Sequence, residues 1–441
     1  MGHTVDHHKD RADQKDLLSG FSKLSREERF ARLLEMGALT QEDVKFLKAG
    51  SPVKIELAEK FIENVIGFFQ LPLGIASNFV IDGKPYVIPM AVEETSIIAA
   101  ASKTAKWIRE NGSIKTETVG REIIGQIQIA KVRDYGNLVE IVKQNEKAWI
   151  ERSNIEVASG LVARGGGVRR IEVRQVPRGD GANMAVIHVM ADTCDAMGAN
   201  IMNQVCEFLK GPVEQLTGEK VTMCILSNLV DTQVTRAIVE IKGLEPELME
   251  KIEEASLFAF QDPYRAATNN KGVLNGIDPI LIATGNDWRA VEAGVHAYAA
   301  RSGQYRSVTV WKRDGETLRG VFEAPIILGI VGGVTTLHPT AKMCLKMLNV
   351  QSSQELSRVC AAVGLVQNLG ALRALTTVGI IEGHMKLHIK NLTLGAGAEE
   401  KEVPYVQKRL EEILSLHKRI SLSHAIEVLK ELRAQRAREQ R

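Results

Sequence analysis

Apolar positions recur at helical spacing in some stretches of the chain and alternate in others, and these two periods divide it into elements. Near the start, SREERFARLL (25–34) and the TQED-led segment 40–47 each place a hydroxyl residue three positions before a carboxylate, the capping-box spacing of a helix start. Segment 55–66 carries an apolar stripe that predicts a further amphipathic helix. Segment 79–92 reads as two β-rich runs around Asp82-Gly83, which predicts a hairpin. Small residues then crowd VEETSIIAAAS (92–102), a helix that something can approach closely.

From Thr116 the pattern turns β-like, with strands predicted at 126–132, 186–190 and 222–227 and helices at 135–153 and after Asn200. Segment 234–241 alternates and is expected to pair with the strand before it. Helices are predicted at 245–260, 289–300 and 354–374, a hairpin at 305–312 with 318–325, and two terminal helices at 404–417 and 423–438. An apolar run at 279–283 has β character.

Composition narrows the class. The chain has 441 residues, 44% hydrophobic and 25% charged, which predicts two or three domains with ample core. Fifty-six basic against 54 acidic residues leave +2, so no overall field recommends nucleic acid or a membrane as partner. Five scattered cysteines with no CxxC argue against a disulfide framework or a zinc site and fit a reducing cytoplasm. No run reaches the ~18 apolar residues of a membrane span, and the opening MGHTVDHHKDRADQKD, with His3, His7 and His8, reads as a solvated leader.

The chemistry concentrates in NNKGVLNGIDPILIATGNDWR, 269–289. Lys271 precedes the apolar run and Asp287 follows it, so both could face one pocket. An ammonium held charged by a carboxylate can polarise a carbonyl oxygen; the same spacing also fits a structural ion pair. In VEETS, Glu94 could donate a proton if its pKa is raised, and Ser96 at a helix start could meet an anion; simple capping is the alternative. Arg265 suits a bidentate carboxylate contact. In DAMGAN, Gly198 lets a backbone come close and the following helix offers its positive end to phosphate, yet no G-x-G-x-x-G sits in a strand-turn-helix setting. His384, after a glycine, could deliver a proton from a mobile segment or be an ordinary surface histidine.

ENVIG (63–67), VEETSIIAAAS, DAMGAN (195–200), ILSNL (225–229), DPYRAAT, NKGVLNGIDP and ATGNDWRAVEAG (262–294) and GHMKLH (383–388) follow one another in an order that resembles class II 3-hydroxy-3-methylglutaryl-CoA reductases. The resemblance runs from about residue 20 to the end. It implies a four-electron reduction of the acyl-CoA thioester to mevalonate with NADPH or NADH. Lys271 would polarise the carbonyl, Glu94 supply the proton, Asp287 tune both, and His384 protonate the departing thiolate. Ser96, Arg265 and Asn275 would hold the hydroxymethylglutaryl group. Asp195, Met197, Gly198 and Asn200 match the dinucleotide motif, and Asn228 a position beside the nicotinamide. No metal is implied.

The fold implied is a multidomain α+β/α/β chain. A large mixed domain (1–118 and 229–377) is interrupted by a small ferredoxin-like, non-Rossmann dinucleotide-binding domain (119–228) and followed by a C-terminal flap (378–441). A cytoplasmic homodimer or assembly of dimers is expected, with ENVIG near a shared site. Thr95 stands where the family usually has Pro. Ala158 falls near a place where NADH-preferring relatives can carry Asp, with Arg164, Arg169 and Arg170 following, which leans the reading toward NADPH. The alternatives are the same enzyme oxidising mevalonate, since both directions share one transition state, and a non-catalytic CoA- or nucleotide-binding regulator.

Overall fold

The computed structural model describes residues 18, 20–377, 389–417 and 419–439. It is a mixed α/β structure with three antiparallel sheets.

Two capped helices open it, α1 (Arg26–Glu35) and α2 (Gln41–Lys48). Both capping boxes form: Ser25 Oγ accepts from Glu28 N at 3.3 Å and Thr40 Oγ1 from Asp43 N at 3.2 Å, with each carboxylate bonded back to the capping N–H. Their apolar faces, Phe30, Leu33 and Val44, pack on Val87 and Ala91 of a hairpin made by β1 (Leu73–Ile81) and β2 (Lys84–Ala91). The turn is Asp82-Gly83, both with positive φ, as that pair favours.

After α3 (Ile97–Asn111) come β3 (Gly112–Val119) and β4 (Glu122–Val132), which enter different sheets. The sheet ordered β5-β6-β4-β7 is built from β5 (Gly167–Pro177), β6 (Asn183–Asp192) and β7 (Met223–Leu226), and is covered by α4 (Tyr135–Glu156) and α5 (Ala199–Thr217) around Ile127, Ile187, Met202 and Leu209. The second sheet, β3-β8-β10-β9, adds β8 (Val234–Lys242), β9 (Thr309–Asp314) and β10 (Thr317–Ala324). Its covering helices are α3, α6 (Pro246–Gln261) and the later central helix; α7 (Pro263–Ala283) packs on that central helix and on β2, and α8 (Trp288–Ala299) packs beside β10. After α9 (Pro339–Leu348), α10 (Ser353–Thr376) runs through the middle of the core. α11 (Val403–His417) and α12 (Leu422–Glu439) share a separate small core around Val406, Leu410 and Val428.

α10 alone among the described helices is long and apolar enough to cross a bilayer, and 67% of its apolar window is buried inside the fold. It meets α7 backbone to backbone. A Cβ at Gly276 would lie 2.9 Å from the backbone oxygen of Val363, so that position needs glycine for the helices to sit this close, and one at Gly364 would lie 2.9 Å from the Ile277 side chain, which would have to shift.

Three expectations are overturned. The 55–66 helix is a single turn, Ile55–Ala58, because its stripe has little to pack on among the described residues, where Ile62 and Ile66 stand exposed. The β-type run at 279–283 is the end of the 21-residue helix α7, since Val273, Ile277, Ile280 and Leu281 form a buried helical stripe and burial overrides β propensity. The 234–241 strand does not pair with β7: β8 lies between β3 and β10, and β7 is an edge beside β4.

Candidate active site

Lys271 lies on α7, where Lys271, Asn275 and Asp278 fall at i, i+4 and i+7 and so share one face. The turn behind Lys271 is fixed from within. Asn269 Nδ2 donates to Thr309 Oγ1 at 3.0 Å and its carbonyl oxygen accepts from Asn368 Nδ2 at 2.8 Å; Asn270 Nδ2 donates to Tyr305 Oη at 3.0 Å and its Oδ1 accepts from Val308 N at 3.0 Å. Both asparagines are buried, so the backbone that carries Lys271 cannot shift without stranding polar groups.

Lys271 Nζ donates to Glu94 Oε2 at 3.2 Å. The expected Lys271–Asp287 pair is therefore corrected: Asp287 caps α8, its Oδ1 accepting from Arg289 N at 3.1 Å, Ala290 N at 3.2 Å and Arg289 Nε at 3.2 Å. Partial burial pushes the Asp287 carboxyl up, but Arg289 and the two N–H groups outweigh it and hold the group below its ordinary range.

Glu94 lies on the bend between β2 and α3, and Ser96 begins α3 with a left-handed backbone, φ 73°, without capping it through its side chain. Glu94, Thr95 and Ser96 line a cleft of about 1140 Å³ together with Arg26 and Phe30 of α1 and Lys103 and Lys106 of α3. Those basic residues escaped the sequence reading because surface lysines on a helix carry no local signal. Arg265, in the first turn of α7, is half-buried and makes no ion pair among the described residues, and burial lowers its pKa. An uncompensated, partly desolvated guanidinium is primed for an anion.

On the other side stand the dinucleotide candidates. Gly198 has φ 91° and a Cβ there would lie 2.4 Å from Thr193 Cγ2, so glycine is required. It starts α5 with no side-chain cap, and Asn200 beside it is exposed, which leaves first-turn N–H groups for an anion. These features fit a pyrophosphate. Met197 and Asn228 line one crevice with Ala290 and Val291 of α8, which brings the two halves of the site together. Asp195 is engaged structurally: its Oδ1 accepts from Ser353 N at 2.8 Å and its carbonyl from Ile330 N at 2.9 Å. Ala158, expected near the ribose, is buried in the core of the small sheet, so its own side chain presents no open surface. Arg170 is committed to Glu122 and Glu172, whereas the Arg164 guanidinium forms no ion pair among the described residues. His384 lies outside the described residues.

Two features had no sequence signal. Asn286 Oδ1 accepts from Gly329 N at 2.9 Å, joining the turn before Asp287 to a distant strap. Asp278, the lowest member of the Lys271 face, meets the Glu292 carboxyl of α8, and burial followed by that neighbouring charge pushes Asp278 up to about 8.

The sequence model of the family described as hydroxymethylglutaryl-coenzyme A reductase matches residues 25–389. A 3-hydroxy-3-methylglutaryl-coenzyme A reductase of Archaeoglobus fulgidus is 46% identical over 424 residues, 95% of each chain. A probable reductase of the same description from Borreliella burgdorferi is 34% identical over 85% of this chain and 88% of its own. Among solved structures, a 3-hydroxy-3-methylglutaryl-coenzyme A reductase from Streptococcus pneumoniae superposes with a TM-score of 0.80 at 37% identity over 94% of this chain and 99% of that one. The class II enzyme of that organism bound to NADPH in open conformations superposes with a TM-score of 0.79 at 36% identity, over 82% of this chain and 100% of that one.

Proposed function

Because the chain belongs to the hydroxymethylglutaryl-coenzyme A reductase family, we propose that its site reduces hydroxymethylglutaryl-CoA to mevalonate and free CoA, with Lys271 and Glu94 as the polar pair at the reacting carbonyl. The observation that carries this reading is the Lys271 Nζ to Glu94 Oε2 contact of 3.2 Å, with Glu94 lining a cleft large enough for an acyl-CoA.

NADPH or NADH, when bound, supplies a hydride to the carbonyl carbon in each of two rounds. Gly198 and the start of α5 hold its phosphates, with Met197, Asn200 and Asn228 along the same path and Asp195 bracing the loop. The protein's own part is electrostatic and protonic. Lys271, anchored by Asn269 and Asn270, stabilises negative charge as it develops on the thioester oxygen and then on the aldehyde oxygen. Glu94 gives that oxygen its proton, and its contact with Lys271 puts donor and polariser within reach of one atom. Asp287 fixes the start of α8 against this wall and adds negative potential to the site. Collapse of the first reduced adduct expels the CoA thiolate, which His384 protonates and so makes a poor nucleophile.

Arg265, Ser96 and Asn275 hold the hydroxymethylglutaryl end; the Arg265 guanidinium, without an ion pair among the described residues, supports a carboxylate there. Pro279 has no N–H for the Asn275 carbonyl, which leaves that acceptor open beside the substrate. Arg26, Lys103 and Lys106 meet the phosphates of CoA along the cleft.

We assign residues 119–228 to a small ferredoxin-like domain, 1–118 and 229–377 to the large domain, and 378–441 to a flap over the site. The separate core of α11 and α12 supports an independently moving unit. Apolar side chains left exposed at Ile66, Phe69, Val334 and Leu337 support a homodimer that covers them. Five free cysteines support a cytoplasmic setting.

The test is oxidation of NADPH and of NADH, followed by the loss of reduced-nicotinamide absorbance with hydroxymethylglutaryl-CoA. Two dinucleotides consumed per CoA released is the expected result; folded protein that consumes neither would leave the regulatory reading standing.

A further inference from the structure

The dinucleotide loop and the catalytic wall come from segments far apart in sequence, yet a strap at 329–330 ties them together. Asn286 Oδ1 accepts the Gly329 N–H at 2.9 Å, and the next N–H, from Ile330, goes to Asp195 O at 2.9 Å. Gly329 therefore touches both sides. A Cβ at this position would lie 2.9 Å from Met197 N and 3.5 Å from Asp195 O, so the strap runs directly against the loop that precedes Gly198.

Asn286 is itself held. Its Nδ2 donates to Thr284 Oγ1 at 3.0 Å, and the buried Thr284 hydroxyl donates in turn to Ile280 O at 2.8 Å, within the last turn of α7. The amide thus has one end fixed to the Lys271 helix and the other to the strap, while the next residue, Asp287, caps α8. A second close approach runs in parallel: a Cβ at Gly294 of α8 would lie 2.6 Å from Asn228 O.

We propose that Asn286 is a positioning residue for hydride transfer: through the Gly329–Ile330 strap it sets the distance between the dinucleotide loop 195–198 and the Lys271–Glu94 pair. Its role is geometric. Without the Asn286 acceptor, the Gly329 N–H loses its partner, the strap relaxes, and the loop it braces moves away from the wall that polarises the carbonyl. Misplacement by ~1 Å in such an arrangement costs about 10²-fold in rate.

This inference rests on the reductase reading, and the experiment separates the two. Steady-state constants are measured for NADPH and for hydroxymethylglutaryl-CoA, together with the kinetic isotope effect from NADPH deuterated at the transferred position. Wild-type protein that does not oxidise NADPH overturns the reductase reading itself. With an active wild type, Asn286→Ala is expected to raise the KM for NADPH several-fold, lower kcat by about 10²-fold and increase the isotope effect, with the KM for hydroxymethylglutaryl-CoA unchanged. Asn286→Asp keeps the acceptor for Gly329 N–H and is expected to restore the NADPH KM, though not kcat, because of the added charge beside Asp287. Gly329→Ala, forced into Met197 N, is expected to reproduce the Asn286→Ala pattern. A merely structural asparagine would lower the active fraction and melting temperature without moving the NADPH KM or the isotope effect, and that result in the Ala variants overturns the proposal.

Discussion

Lys271 Nζ and Glu94 Oε2 stand 3.2 Å apart although 177 positions separate the two residues along the chain. The pair is well exposed, with 63% and 43% of the side chains accessible, so it contributes little to stability. In the proposed reaction its energetic weight falls in the transition state. Lys271→Ala is therefore expected to lose about 10³-fold in kcat while its melting temperature stays within a degree or two of wild type. A loss of less than tenfold in steady-state turnover would remove Lys271 from the polarising role.

A partly buried carboxyl on the Lys271 face of α7 predicts the opposite separation, stability without a direct chemical role. Asp278 is pushed up to about 8 by burial and then by Glu292, against 3.8 for an unburied group, and its Oδ1 has no hydrogen-bond partner among the described residues. The folded state thus binds a proton that the unfolded state releases, so stability falls as pH rises from about 4 to about 8 and then levels off. Asp278→Asn removes the ionisation. Its melting temperature is expected to match or exceed wild type at pH 7, with the gap widening from pH 5 to pH 8; a gap independent of pH would contradict this account.

Glu355 predicts the reverse slope. Burial pushes it up, but Lys84 Nζ at 2.6 Å, Gln351 N at 2.6 Å and Tyr86 Oη at 2.7 Å hold it below its ordinary range. A depressed folded pKa gives stability that is present above the unfolded value near 4.5 and lost as pH falls through the folded one. Glu355→Gln is expected to cost ~2–3 kcal/mol at pH 7, read by urea unfolding. The difference should shrink as pH drops below 4, and a constant difference would assign the loss to packing instead.

The elements with local codes were legible in the sequence: both capping boxes, the Asp82-Gly83 hairpin, and the helices of the central core. What was not legible depends on distant partners. The 279–283 run looks like a strand until α10 and β2 supply the burial that makes it helix. The 55–66 stripe looks like a helix until it is seen to have little to pack on among the described residues. At the site, Lys271, Glu94 and Gly198 were marked by unusual residues in apolar company, whereas the choice of Glu94 over Asp287 as partner of Lys271 depends on how β2 and α7 cross. Asn286 is one more polar residue in a turn, and its use appears only when Gly329 arrives from 43 residues away.

Dinucleotide preference is the last consequence, and here the structure moves the argument from one residue to another. Ala158 was the expected marker, but it is 1% exposed, so an Asp there would be buried among Leu161 and Val168 and would test folding rather than binding. Arg170 is held by Glu122 and Glu172, and Arg169 donates to Gly165 O. Arg164 is different: it lies on the turn against the loop before Asp195, where Cys194 Sγ donates to Arg164 O at 3.5 Å, and its guanidinium has no ion pair among the described residues. A guanidinium without an ion pair among the described residues, on the turn whose backbone meets the loop before Asp195, favours a ligand with a 2′-phosphate over one without. Arg164→Ala is therefore expected to raise the KM for NADPH by about tenfold, the loss of roughly one charge-assisted contact, and to leave the KM for NADH unchanged. Comparing the two dinucleotides in one preparation cancels any change in active fraction. An equal rise for both would place Arg164 at the shared pyrophosphate, and no change for either would place it outside the site.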